Sequence, residues 1–159
     1  MSTINDLDIL AVRNIIALSC EALDTKDFAL LKKVFVENVS ADYPFNHDLQ
    51  DVNSIITAVQ NRLGPIRTHH NLTTQRITFD DNGKTAHAVT YFQSAHFGQG
   101  PHEGKLLCAY GKYFDDLELQ QGSDGKSEGV PGASGIWRIV KRKVTFTQRI
   151  GDEKIMSEH

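Results

Sequence analysis

Gly64 and Pro65 divide this chain into two parts with different hydrophobic periods. Before them, apolar residues recur at three- and four-residue spacing; after them the period falls to two and stays there. A helical front followed by a run of long strands is the α+β class. In the front part Leu7, Ala11, Ile15, Leu18 and Ala22 form one stripe of a first helix. Asp24-Thr25-Lys26-Asp27 carries turn and capping chemistry and stops that helix near Asp24. A second helix follows, with Phe28, Leu31, Val34 and Phe35 facing inward. Residues 39–45 read as a strand with Val39, Ala41, Tyr43 and Phe45 on one face, and 46–50, with His47, as a polar loop. Asp51 caps a third helix carrying Val52, Ile55, Ile56, Val59 and Leu63, which Gly64-Pro65 ends.

The back part reads as four long strands in a meander. The first covers 68–79 and turns at Asp81-Asn82-Gly83. His70, Leu72 and Thr74 share one face there, but Ile77 and Phe79 have the opposite parity, which predicts a β-bulge within 73–76. The second covers 85–97 and puts Ala86, Ala88, Thr90, Phe92, Ser94 and His96 on one face. Gly98-Gln99-Gly100-Pro101 breaks it. A third strand covers 105–117, a glycine- and serine-rich loop 122–135, and a fourth strand 136–150. The last strand changes parity between Trp137, Ile139 and Val144, Phe146. A sheet bent in this way curls round the helices and leaves a cone-shaped cavity. After Gly151 the charged tail 151–159 carries Ile155 and Met156, which could fold back over an opening. With no repeat and no linker, the 159 residues read as one domain with its core over about 8–150.

Composition excludes several classes. A formal charge of -3 gives no reason to expect nucleic acid or an anionic membrane as partner. The cations Arg138, Lys141, Arg142 and Lys143 alternate along a strand and read as a solvated outer face. No stretch approaches about 18 consecutive apolar residues, so no membrane span is expected. The opening MSTINDLDIL lacks a basic segment followed by an apolar run, so the cytoplasm is the expected compartment. Cys20 and Cys108 read as buried free thiols. His69 and His70 point to opposite faces of a strand and cannot share a metal ion, and His102-Glu103 lacks the second histidine of a zinc helix. Gly98-Gln99-Gly100 opens no helix, so a phosphate cradle is not expected.

What remains is an acid and a phenol converging on one apolar space. Asp24 sits at its mouth and Tyr43 points into it from a strand. Asp24 paired with His70 or with His96 would hold an imidazole in one tautomer, leaving its other nitrogen free to move a proton near neutral pH. Tyr43 could donate a hydrogen bond to a carbonyl oxygen and stabilise an enolate.

Five strings resemble the SnoaL-like branch of the nuclear-transport-factor-2 fold, and within it the scytalone dehydratases. They are ALDTKDFALLKKVF…ADYPF at 22–45, IRTHHNLTTQRI at 66–77, TYFQSAHF at 90–97, GKYFDDL at 111–117 and GIWRIVKR at 135–142. The resemblance implies a cone of helices on a strongly curved antiparallel sheet that encloses a pocket. Carried over by position, the catalytic aspartate falls on Asp24, one catalytic tyrosine on Tyr43, and the two active-site histidines on His70 and His96. The second tyrosine position is Leu23, and two substrate-binding positions are Gly111 and Tyr113. Leu23, Phe45, Leu72, Phe92 and Tyr113 are therefore the expected substrate-contacting walls.

The expected function is a cofactor-independent acid/base lyase (a dehydratase) or isomerase. Its substrate would be a small hydrophobic oxygenated ring compound, such as a polyketide or terpenoid intermediate of secondary metabolism. A cyclase of the same fold is the near alternative, and a non-catalytic binding or interaction module the distant one. His87, Val89, Tyr91 and Phe97 make the opposite sheet face apolar enough to expect a homo-oligomer, a dimer or a trimer.

Overall fold

The structure is a computed structural model and describes residues 4–120 and 129–159. Helix α1 (Asp6–Thr25) begins where the Asn5 side chain accepts a hydrogen bond from the Leu7 amide, with Asp6 and Asp8 in its first turn. It ends at Lys26, whose φ of 63° is left-handed. Its buried residues are Asp8, Ala11, Val12, Ile16, Ser19, Cys20, Ala22 and Leu23, so the inward face is rotated by about one position from the expected stripe and Leu7 is exposed. The rotation has a polar cause: Asp8 is buried because it accepts hydrogen bonds from the amide and hydroxyl of Ser134.

The expected second helix is shorter than its pattern suggested. A 3-10 turn (Phe28–Leu30) leads into α2 (Leu31–Val34), and Phe35 already belongs to strand β1 (Phe35–Tyr43). Phe45 lies in a turn rather than in the strand, and the expected polar loop contains a short strand, β2 (Asn46–Leu49), which pairs back on β1. Asp51 caps α3 (Val52–Leu63) through the Ser54 amide, as its position suggested.

Strands β3 (Arg67–Phe79), β4 (Thr85–Phe97), β5 (Leu106–Leu119) and β6 (Trp137–Gly151) form the expected meander. The sheet has six strands in the order β2-β1-β6-β5-β4-β3, and it is mixed: β1 runs parallel to β6. The chain leaves β1 through β2 and α3 for the far edge, and the meander brings β6 back beside β1 in parallel, where a purely antiparallel sheet was expected.

The bulges bend the sheet. In β3 the register shifts between Leu72 and Gln75, inside the window that parity marked. In β6, Leu117 pairs with Ile139 but Asp116 with Lys141, leaving Val140 as the extra residue. Gly111 pairs with Phe146 but Tyr110 with Gln148, leaving Thr147 extra. Each added residue reverses which side chains face inward. The first bulge therefore carries Arg142 to the inner face, where it is buried, against the expectation of a solvated cation.

Cys20 and Cys108 are unpaired; Cys20 is buried and Cys108 half-buried. Of the glycine-rich loop 122–135, residues 122–128 lie outside the described residues. Beyond Gly151 the chain makes a 3-10 turn (Glu153–Met156), and Ile155 is buried against Ile66 and Leu107. Among the described residues no helix is long and apolar enough to cross a membrane.

Candidate active site

The helices and the curved sheet enclose a cavity that is open on one side. Every strand but β2 and every α-helix but α2 supplies walls: Leu23 from α1, Tyr43 from β1, Phe45 from the turn after it, and Val59, Arg62 and Leu63 from α3. The sheet adds His70 from β3, Phe92, Ser94 and His96 from β4, Ala109 and Tyr113 from β5, and Val144, Phe146 and Arg149 from β6.

The last turn of α1 brings Asp24 against the first residues of β3. Its Oδ1 accepts a hydrogen bond from His70 Nδ1 at 2.7 Å, and its Oδ2 accepts from the His70 amide at 2.8 Å. Thr68 donates its hydroxyl to the same carboxylate at 2.8 Å, and Lys26 Nζ donates to Thr68 at 3.0 Å. Of the two pairings open from sequence, the fold forms Asp24 with His70. A carboxylate accepts only, so Nδ1 carries the proton and Nε2 of a neutral His70 is a lone pair. Burial opposes charge on Asp24, but the hydrogen bonds and charge of His70 and the Thr68 hydroxyl outweigh it and hold the carboxyl below its ordinary value.

His96 is 6% exposed, and its Nδ1 donates to the Leu107 carbonyl at 3.1 Å. Burial pulls its pKa down to about 4; the Leu107 carbonyl works the other way, while His70, Arg149 and Arg62 add to the lowering. It is therefore neutral at neutral pH and presents Nε2 as an acceptor.

Tyr43 is buried, with its ring 5.2 Å from that of Phe45. Burial raises its pKa, and Arg142 offsets part of the rise, so the phenol stays protonated. Arg142 is a residue whose role the alternation of cations hid. Its guanidinium bonds Asp115 at both oxygens, 2.7 and 2.9 Å, and reaches Ser19 Oγ at 3.2 Å. It lies 4.3 Å over the Tyr113 ring, which stacks on Phe92 at 4.6 Å. Burial works against the charge, but Asp115 more than compensates, so Arg142 is a fixed cation behind the two tyrosines.

Leu23, Phe45, Phe92 and Tyr113 line the cavity as expected, and Leu72 does not. Leu72 shares a face with His70, but at that depth β3 passes under α1, and Leu72 borders a separate groove with Leu10, Arg13, Asn14 and Ala17. His69 is exposed, with Nε2 3.2 Å from the Asn71 side chain. Sequence reasoning missed Arg62 and Arg149 as cavity residues. Arg62 stands one helical step from Val59 on the inward side of α3, a spacing open to view in the sequence. Arg149 is inward only because Thr147 is bulged out, which pairs it with buried Ala109.

Comparison with known proteins adds a frame. The model of the SnoaL-like domain family matches residues 7–143. No curated protein matches the chain in sequence. Among solved structures, a Novosphingobium aromaticivorans protein provisionally named a scytalone dehydratase is similar at 18% identity and a TM-score of 0.73, covering 92% of this chain and 88% of that one. Hexachlorocyclohexane dehydrochlorinase LinA type 2 is similar at 13% identity and 0.74, covering 93% of each chain. LinA type 3 from Novosphingobium barchaimii is similar at 12% and 0.73, covering 94% and 95%. At these identities the likeness is one of fold.

Proposed function

The chain belongs to the SnoaL-like domain family, and for this member we propose a general acid/base lyase that eliminates water from a small, largely apolar carbonyl compound. One observation carries the reading: an imidazole fixed by a carboxylate at 2.7 Å forms part of the wall of an otherwise mainly apolar cavity. A structural ion pair gains nothing from facing such a space. A base positioned in this way contributes roughly 10²–10⁴-fold in rate.

The proposed reaction runs as follows. His70 Nε2 removes a proton from the carbon next to the substrate carbonyl, and Asp24 stabilises the imidazolium that results. The electron pair of the broken C–H bond moves into an enolate, whose oxygen accepts a hydrogen bond from Tyr43. As the carbonyl re-forms, the pair becomes the new C=C bond and the bond to the β-hydroxyl breaks. The departing hydroxide takes the proton held on His70 and leaves as water, returning the imidazole to its starting state. His96, neutral and accepting at Nε2, would bind the β-hydroxyl and orient it. A double-bond isomerase shares the first half of this sequence and differs only in where His70 returns the proton. The polyketide or terpenoid character of the substrate is part of the proposal.

The test separates proton abstraction from turnover. Aryl β-hydroxyketones are incubated with the protein in deuterium oxide and followed by proton NMR. Exchange at the α-carbon, with or without loss of water, is the expected result, and it should slow roughly 10²–10⁴-fold in His70→Asn. Exchange at equal rates in wild type and His70→Asn would refute the assignment.

A further inference from the structure

Among the described residues, the cavity wall contains two guanidiniums, Arg62 and Arg149, and no carboxylate. Asp24 stands behind His70 and is engaged by it, and Asp115 is bound at both oxygens by Arg142. Arg149 has a partner on its outer side, Glu153 at 3.2 Å, which is 70% exposed. Arg62 makes no ion pair among the described residues. Its guanidinium lies 4.4 Å over the ring of Phe45, another wall of the same cavity. Resting on the proposed acid/base reading of this cavity, we propose that its substrate carries a carboxylate, which Arg62 and Arg149 bind while the apolar body reaches toward His70.

Two further observations agree. Burial depresses the Arg62 pKa, and the like charge of Arg149 adds to the lowering. Each guanidinium also rests on an aromatic ring, Arg149 on Phe146 at 5.6 Å, which orients its planar donor fork. A half-buried cation in weakly polar surroundings has lost part of its hydration, and an incoming carboxylate replaces that loss with charge-assisted, bidentate hydrogen bonds. If Arg62 served only to cover Phe45, it would favour neutral and anionic ligands alike.

The test uses naphthoate and its neutral isostere naphthamide, titrated calorimetrically into wild type, Arg62→Gln and Arg149→Gln. Near-ultraviolet circular dichroism confirms that each variant is folded. The expected result is naphthoate binding at least about tenfold more tightly than naphthamide to wild type. That preference should fall to about twofold in Arg62→Gln and shrink in Arg149→Gln, with naphthamide affinity little changed. Equal affinities in wild type would overturn the carboxylate subsite and leave the apolar cavity standing. A preference that survives both substitutions would also overturn it, since the anion would then be held elsewhere. Binding of neither probe would remove the cavity reading and this inference together.

Discussion

Lowering the pH from about 7 to about 4 tests the buried state of His96 without knowledge of any substrate. Its pKa falls from 6.5 to about 4 in the folded protein, chiefly because burial penalises the imidazolium. A group whose folded pKa is depressed binds fewer protons when folded than when unfolded. Stability is therefore highest above the unfolded value near 6.5 and is lost as pH falls toward 4. At about 1.4 kcal/mol per pKa unit, the difference amounts to about 3 kcal/mol, a large fraction of a typical domain's stability. The assay is urea unfolding of wild type and His96→Gln at both pH values. Glutamine keeps a donor for the Leu107 carbonyl and cannot titrate. Other groups titrate in both proteins, so their contributions cancel in the double difference. Wild type should lose about 3 kcal/mol more than the variant across this range. A parallel NMR titration of the His96 ring should show no protonation above about pH 5. Equal acid sensitivity of the two proteins, within about half a kcal/mol, would show that His96 charges freely, and the neutral-acceptor role would fall with it.

Four further outcomes are expected. In the deuterium-exchange assay, Asp24→Asn and His70→Asn should each lower the rate roughly 10²–10⁴-fold and their double variant little more, while His69→Asn should cost less than about tenfold. Asp115→Asn, by leaving the Arg142 guanidinium buried without its carboxylate, should lower unfolding stability by about 3–5 kcal/mol in urea titrations, and Asp115→Leu with Arg142→Met should recover most of that. Gly111→Ala should destabilise by about 1–3 kcal/mol, because its Cβ would stand 2.2 Å from the Thr145 carbonyl oxygen and 2.6 Å from the Phe92 ring; a melting temperature equal to wild type would contradict this. Sedimentation should show a dimer, or next a trimer, formed through the outer sheet face, where Tyr91, Phe97, Leu106, Tyr110 and Phe114 stand exposed; a 17.7 kDa monomer at micromolar concentration would count against it.

The class of the fold, the limits of α3, the length of the four late strands and the bulge in β3 were legible in the sequence. Each is set by local chemistry: a capping aspartate, a Gly-Pro stop, an alternation of two, and a break in that alternation. Leu23 was reached only through the family resemblance, whereas Tyr43, His70, Phe92 and His96 were legible for the same reason, since the parity of a strand settles which side they take. Everything decided by partners distant in the chain was not. The two acids that lie deepest show this. Asp8 looks like a first-turn surface residue until Ser134, far along the chain, donates to it twice. Asp115 looks like half of an exposed acidic pair until Arg142 closes on it. The parallel pairing of β1 with β6 has no local signature, because sequence period reports which face a residue takes and not which strand lies beside it. The parity change between Ile139 and Val144 already marked the extra residue at Val140 that turns Arg142 inward, but the second one, at Thr147, which turns Arg149 inward, left no such break in the pattern. The choice of His70 over His96 as the partner of Asp24 is likewise tertiary. Both histidines have the right parity, but only β3 runs beneath the last turn of α1, within reach of a carboxylate that can span about one hydrogen bond and no more.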